Sequence, residues 1–267
     1  MFGVFAAFAA IRFVNGFPSV MANLSTAQPL QLQLLVLVGS AAVGLALQSA
    51  AMALIAGAVP AWSPGGRVAP RTALTLGVMA GVIGAAARAA TALVGARGPA
   101  WPSYAGATSF VPLVASAVNP IVTLLTRIVA LLLVVSIANR VTAGWTRRRA
   151  LASVLLAVIG GVLGTAGSPA DLGPWIVSAI GIGLLFVAAY IFVLRHDVSV
   201  VPIAAAMMTI PGVLREGWAA AYPGALPGAI VAIVVMAIAA YLWFGALRHA
   251  QPTHAARDVI DRRSAAL

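Results

Sequence analysis

Long, uninterrupted apolar runs separated by short stretches rich in Gly, Pro and Arg set the pattern of the whole chain. Seven runs can be marked, at 31–59, 73–96, 108–138, 150–167, 173–194, 198–214 and 225–247. A helix needs about 20 apolar residues to cross a hydrocarbon core of about 30 Å, and these runs are continuous rather than alternating. They predict membrane-spanning helices and not barrel strands, giving an all-α fold: a polytopic transmembrane helix bundle of about seven spans plus an N-terminal apolar segment. Pro60, Pro64, Gly65 and Gly66 break the chain after the first run, and Gly98, Pro99 and Pro102 break it before the third. Gly167, Ser168 and Pro169 predict a tight turn after the fourth. The sixth run, 198–214, contains Pro202 and Pro211 and reads either as a full crossing or as a re-entrant, broken helix.

Arginine placement decides between these two readings, because positive charge collects in alternate loops on the cytoplasmic side. If all seven runs cross, one side receives Arg67, Arg71, Arg140, Arg147, Arg148, Arg149, Arg195, Arg248, Arg257, Arg262 and Arg263. The other side receives only Arg97 and Arg215. A non-spanning sixth run would export the C-terminal arginines and spoil the bias, so 198–214 is expected to cross, with 139–149 and the C-terminus cytoplasmic. The chain divides into an N-terminal apolar segment over 1–30, the bundle over 31–247 and a cytoplasmic polar tail over 248–267. Residues 1–22 are apolar apart from Arg12, Asn15 and Ser19, and Gly16 and Pro18 are expected to shorten any helix there below a comfortable span. Two readings stand for this segment, an interfacial or tilted helix packed on the bundle, or the stump of an earlier span.

Composition narrows the chemistry. The 267 residues are 62% apolar and 8% charged, against about 25% charged in soluble domains, which leaves no room for a sizeable soluble domain beside the spans. The net charge of +11 falls between apolar runs and reads as topology, not as nucleic-acid binding. With no Cys, disulfides, thiolate catalysis and cysteine metal sites are excluded. With no Lys, Schiff-base and phosphate-loop lysine chemistry goes as well. The five acids, Asp171, Asp197, Glu216, Asp258 and Asp261, avoid the deep parts of the apolar runs, so a carboxylate proton relay is not expected.

Among the polar residues that remain, Arg127 is the most informative, since a guanidinium inside an apolar run costs a few kcal/mol unless solvated or paired. Asn119, Thr123 and Arg127 follow one another at four-residue spacing beside Pro120, whose missing N–H frees a backbone carbonyl. They mark either a polar cavity that receives a ligand or a tilted segment whose Arg127 snorkels to the interface. Arg88 can snorkel more easily. Arg195-His196-Asp197 reads as a charged helix end, because sequence neighbours on a helix do not face each other. Arg215-Glu216 lies near Trp218 and Tyr222, an interfacial aromatic belt. No His-Glu-x-x-His, no membrane aspartate pair and no His within a span is present, so the familiar intramembrane hydrolase chemistries lack their residues. No catalytic, cofactor-binding or metal-ligating residue is assigned and no cofactor is expected. Gly77-x-x-x-Gly81 and Gly160-Gly161-x-x-Gly164 read as close helix contacts.

Thr26-Ala27-Gln28-Pro29-Leu30 at the head of a long apolar helix, Pro99-Ala100-Trp101-Pro102-Ser103-Tyr104 before the third run, and the general helix layout resemble the membrane part of bacterial CAAX-protease and bacteriocin-processing (CPBP, or Abi) intramembrane proteins, over about half the chain. The resemblance implies a helical bundle around a glutamate-dependent peptidase site, with a Glu-Glu pair, a following Arg and His residues on later helices. This chain has no Glu-Glu pair, and where that motif would be sought it carries Asn119, Thr123 and Arg127. The resemblance therefore implies a degenerate relative that keeps the bundle without its catalytic residues, in a family where further segments can precede the bundle. The function expected is that of a non-catalytic multi-spanning membrane protein acting as a binding or assembly subunit. The alternatives are a transporter or permease component with a cavity near Arg127, or an active intramembrane hydrolase using Glu216 and His196. Expected partners are membrane lipids, anionic ones included, and another membrane protein, without nucleic acid. The expected location is a bacterial inner (plasma) membrane.

Overall fold

Without water to satisfy them, the backbone groups of an apolar run close their hydrogen bonds within the run, and every run here is helical. The computed structural model describes residues 2–24, 28–62, 68–95, 104, 106–143, 145–164 and 172–249. Among these there are eight α-helices and no strand: α1 (Phe2–Met21), α2 (Leu30–Trp62), α3 (Pro70–Gly95), α4 (Pro112–Val141), α5 (Arg149–Gly164), α6 (Leu172–Ala189), α7 (Val200–Ala219) and α8 (Ala225–His249). A π-helical turn, Tyr190–Leu194, continues α6, closed by Arg195 N–H donating to the Tyr190 carbonyl at 3.1 Å. Seven helices, all but α5, are long and apolar enough to cross a membrane, and the chain is a multi-pass membrane protein. The turn foreseen at Gly167–Pro169, the polar tail beyond His249 and most of the residues carrying the CPBP resemblance (Thr26, Ala27 and 99–103) lie outside the described residues.

The helices alternate in direction, as contacts at the two ends show. At one end Arg248, in the last turn of α8, reaches both Asp197 after α6 and the Val68 carbonyl before α3. Trp145 after α4 lies against Tyr190 with ring centroids 5.3 Å apart, and Phe5 of α1 meets Trp243 of α8. At the opposite end Asn15 of α1 holds Val111 before α4, and Ser116 of α4 meets Tyr222 between α7 and α8. The first end gathers Arg71, Arg140, Arg147, Arg148, Arg149, Arg195 and Arg248, and the second carries Arg215. Among the described residues this is the division predicted from the sequence; Arg67, Arg97, Arg257, Arg262 and Arg263 lie outside them.

Small residues set the spacing of two interfaces. On α3, Gly77, Gly81 and Gly84 lie against Ile203, Ala204, Met207 and Met208 of α7, so close that a Cβ at Gly81 would strike the Ala204 carbonyl. Gly161 faces Ala179 and Gly183 faces Ala157, which lays α5 antiparallel along α6. Although α5 has only 16 residues, it therefore runs back along a full-length neighbour. The core follows α4, where Leu124, Ile128, Leu132 and Val135 form one fully buried stripe with Met236 of α8 and Val200 and Val201 of α7.

Two boundaries differ from the sequence reading. α1 continues through Gly16 and Pro18 to 20 residues, about 30 Å, and so is itself a candidate span. A Gly costs a helix about 1 kcal/mol and a proline here removes one hydrogen bond, whereas ending the helix in an apolar medium would strand several backbone groups. Asn15 fixes the segment, its Nδ2 donating to the Val111 carbonyl at 3.1 Å while its Oδ1 accepts from Val111 N–H at 2.8 Å. Proline is equally absorbed at Pro120, inside an unbroken α4, and at Pro211, inside an α7 of 20 residues that is neither broken nor re-entrant. α2 likewise runs past Pro60 to Trp62.

Candidate intramembrane polar site

The residues singled out from the sequence lie at four-residue spacing along α4 but meet different surroundings. Thr123 is exposed and donates from Oγ1 to the Asn119 carbonyl at 2.9 Å, the usual resting place of a threonine hydroxyl on an apolar helix. Arg127 turns toward α7, where its Nη1 donates to Thr209 Oγ1 at 2.9 Å. That hydroxyl in turn donates to the Ala205 carbonyl at 2.8 Å, so one buried threonine serves both as donor to its own helix and as acceptor for the guanidinium. The charges of Arg88 on α3 and Glu216 on α7 also act on Arg127. Asn119 lines a groove between α1, α2 and α4 whose lining residues do not include Arg127.

The groove has a volume of about 440 Å³ and is half open. Its polar lining consists of Arg12, Asn15 and Ser19 from α1, Gln48 from α2, and Ser109 and Asn119 from the start of α4 and the loop before it. Ala9, Phe13, Val20, Leu45, Val114, Val118 and Val122 supply the apolar walls. Several of its polar groups are already occupied: Asn15 by Val111, Ser19 by the Gly16 carbonyl and Ser109 by the Gly106 carbonyl. Arg12 is different. It lies ten residues from Phe2 and nine from Met21, about 15 Å from either end of α1, and makes no hydrogen bond or ion pair to another described residue. Asn15, about one turn along α1, pairs with Val111 at the start of α4, so Arg12 lies near that end of the bundle, with its side chain exposed.

Sequence reasoning noted Arg12, Asn15 and Ser19 only as exceptions in an apolar segment. Their spacing carried the missing signal, since positions i, i+3 and i+7 fall on one helical face and describe a polar stripe. The partner residues Gln48 and Asn119 could not be added without knowing that α2 and α4 flank that stripe.

Elsewhere Asp197 and His196 are engaged by neighbouring groups. Asp197, 1% exposed, accepts from Ser199 N–H and Oγ at 3.0 and 2.6 Å and from Arg248 Nη1 at 3.2 Å. His196 accepts at Nε2 from Arg195 Nε at 3.0 Å. Glu216 and His196 lie at opposite ends of α7, about 30 Å apart, and are not brought together. No group of three or more His, Asp or Glu capable of holding a metal occurs among the described residues. Comparison with protein-family models, curated proteins and solved structures gives no match to the chain.

Proposed function

We propose that the protein is a non-catalytic binding or assembly subunit of a bacterial inner membrane, whose partner contributes an anionic group inside the bilayer. One observation carries this reading: Arg12 lines a groove between α1, α2 and α4 that holds no acidic side chain among its lining residues. A carboxylate relay or nucleophile would need groups that the charged residues of this bundle do not offer, whereas a bound anion needs only the cation and amide donors at hand. A CPBP-like scaffold that lacks its Glu-Glu pair fits the same role, keeping packing without peptidase chemistry. The basic end of the bundle faces the cytoplasm by the positive-inside rule, which puts the end of α8 there.

Native mass spectrometry on protein released from mild detergent tests the reading. A stoichiometric polypeptide travelling with the wild type and absent from Arg12→Leu is expected; a lone chain in both cases would contradict it. Orientation is checked separately, because the chain has no Cys. A cysteine replacing His254 should react only after the membrane is permeabilised, and labelling from outside intact cells would reverse the topology.

The second reading, a transporter or permease component, is favoured by Arg127, whose guanidinium inside α4 donates to the single hydroxyl of Thr209. Its test is flux of a small anion into vesicles, abolished in Arg127→Leu and unaffected in Arg12→Leu.

A further inference from the structure

We infer that the notch between α3, α4 and α7 is a binding site for a singly charged phosphate group that also carries a hydroxyl, held by Arg127 and Arg88 and donating that hydroxyl to Glu216. The inference gives the transporter reading its ligand class and rests on the same arginine, although binding itself does not require flux. Arg127 stands midway along α4 and its acceptor Thr209 midway along α7, so two helices independently set the guanidinium deep within the bundle. Thr209 takes one of its five N–H groups, and no other described residue accepts from it. A half-buried guanidinium so placed calls for an anion or water to meet the rest.

The space for that anion follows from the packing of α3 on α7. Gly77 lies against Val200 and Ile203, Gly81 against Ala204 and Met207, and Gly84 against Met208, so the two helices run parallel and in step. One turn further, Arg88 of α3 comes level with Gly212 of α7. Gly212 shares a helix face with Thr209 and Glu216, at i, i+3 and i+7, and a Cβ at Gly212 would meet nothing. The empty position is flanked by the cations of α3 and α4, with Thr209 on one side of it and Glu216 about 6 Å beyond it toward the end of α7. Charge agrees with this grouping, since Arg88 and Glu216 both act electrostatically on Arg127.

Guanidiniums present planar N–H forks that match a pair of phosphate oxygens. Glu216 sets the rest of the ligand, because a bare anion or a dianion beside it meets repulsion, whereas a hydroxyl donates to its carboxylate. Dihydrogen phosphate and the phosphatidylglycerol headgroup both combine one negative charge with such a hydroxyl.

The test uses the full chain in neutral detergent. Equilibrium dialysis against radiolabelled phosphate at mildly acidic pH, with chloride in excess, measures the free ion. Native mass spectrometry after exposure to mixed phosphatidylglycerol and phosphatidylcholine measures the lipid. A single equivalent of either anionic probe per chain is expected, bound about tenfold more weakly by Arg127→Gln and by Gly212→Leu, whose new side chain occupies the notch. Phosphate binding assigns the site to the soluble ion; phosphatidylglycerol binding without it assigns the site to the lipid. Glu216→Gln should narrow the preference over chloride. Should Arg127→Gln fail to fold, Gly212→Leu carries the same comparison. Retention of neither probe, or binding unchanged in both variants, overturns the inference. Anion flux that depends on Arg127 without binding of either probe would overturn it and leave the transporter reading, whereas binding without flux would end that reading and leave the site.

Discussion

The flank made by α1 and α2 and the centre made by α4 and α7 are built from equally apolar sequence, yet they use it in opposite ways. Of the most apolar 18-residue stretch of each helix, none is buried in α2 and 11% in α1, against 50% in α4 and 44% in α7. In water such a contrast would mark α2 as misplaced; in a bilayer lipid covers apolar surface at no cost, so exposure alone says nothing. What separates the regions is the fate of their polar residues. In the centre Arg127 finds Thr209, Asp197 finds Arg248, and Gly81 fits against α7. On the flank Arg12 lines a groove with no acidic side chain; open glycines do not separate the regions, since Gly212 of α7 faces nothing either. The lesson is that in a membrane protein the unused features, not the exposed apolar ones, point to a missing partner.

Substitutions can break or sharpen this contrast. The largest effect belongs to Arg248→Met, which leaves the buried Asp197 carboxylate without its cation and should cost about 3 kcal/mol, measured by unfolding in mixed micelles. Gly81→Leu follows, since its side chain would meet the Ala204 backbone; a loss of about 2 kcal/mol is expected, while Gly39→Leu on the flank should change stability little. Thr209→Val removes the acceptor for Arg127 and should cost about 1 kcal/mol, in line with hydrogen bonds between membrane helices. Arg12→Leu comes last, with no loss of stability, because no contact within the described fold is given up. If Arg12→Leu destabilised the isolated protein as much as Thr209→Val, the flank would be part of the core and the contrast would fail.

Run length and arginine bias were enough to read the helices, their alternation and the crossing of α7, because spanning segments must satisfy their own backbone and carry their charge at the ends. Proline and glycine misled where they usually inform. Gly16 and Pro18 were expected to shorten α1, and Pro60 to break the chain after the first run, but in an apolar medium one lost hydrogen bond is cheaper than a broken helix. The site was legible only in fragments. Asn119 and Arg127 share a helix face by spacing, but α4 is gripped by different neighbours along its length, and the groove depends on α1 and α2 lying beside Asn119. Which helices neighbour one another is a property of packing that spacing along one helix does not encode.

The most direct measurement is photo-crosslinking in intact cells from a benzophenone side chain placed at position 44, on the flank, with position 184, exposed on α6, as the comparison. The expected result is one discrete heavier species from position 44 that disappears in Arg12→Leu, and none from position 184. Lipid adducts alone from both positions, or a product at position 44 indifferent to Arg12, would contradict the flank as a partner-binding surface.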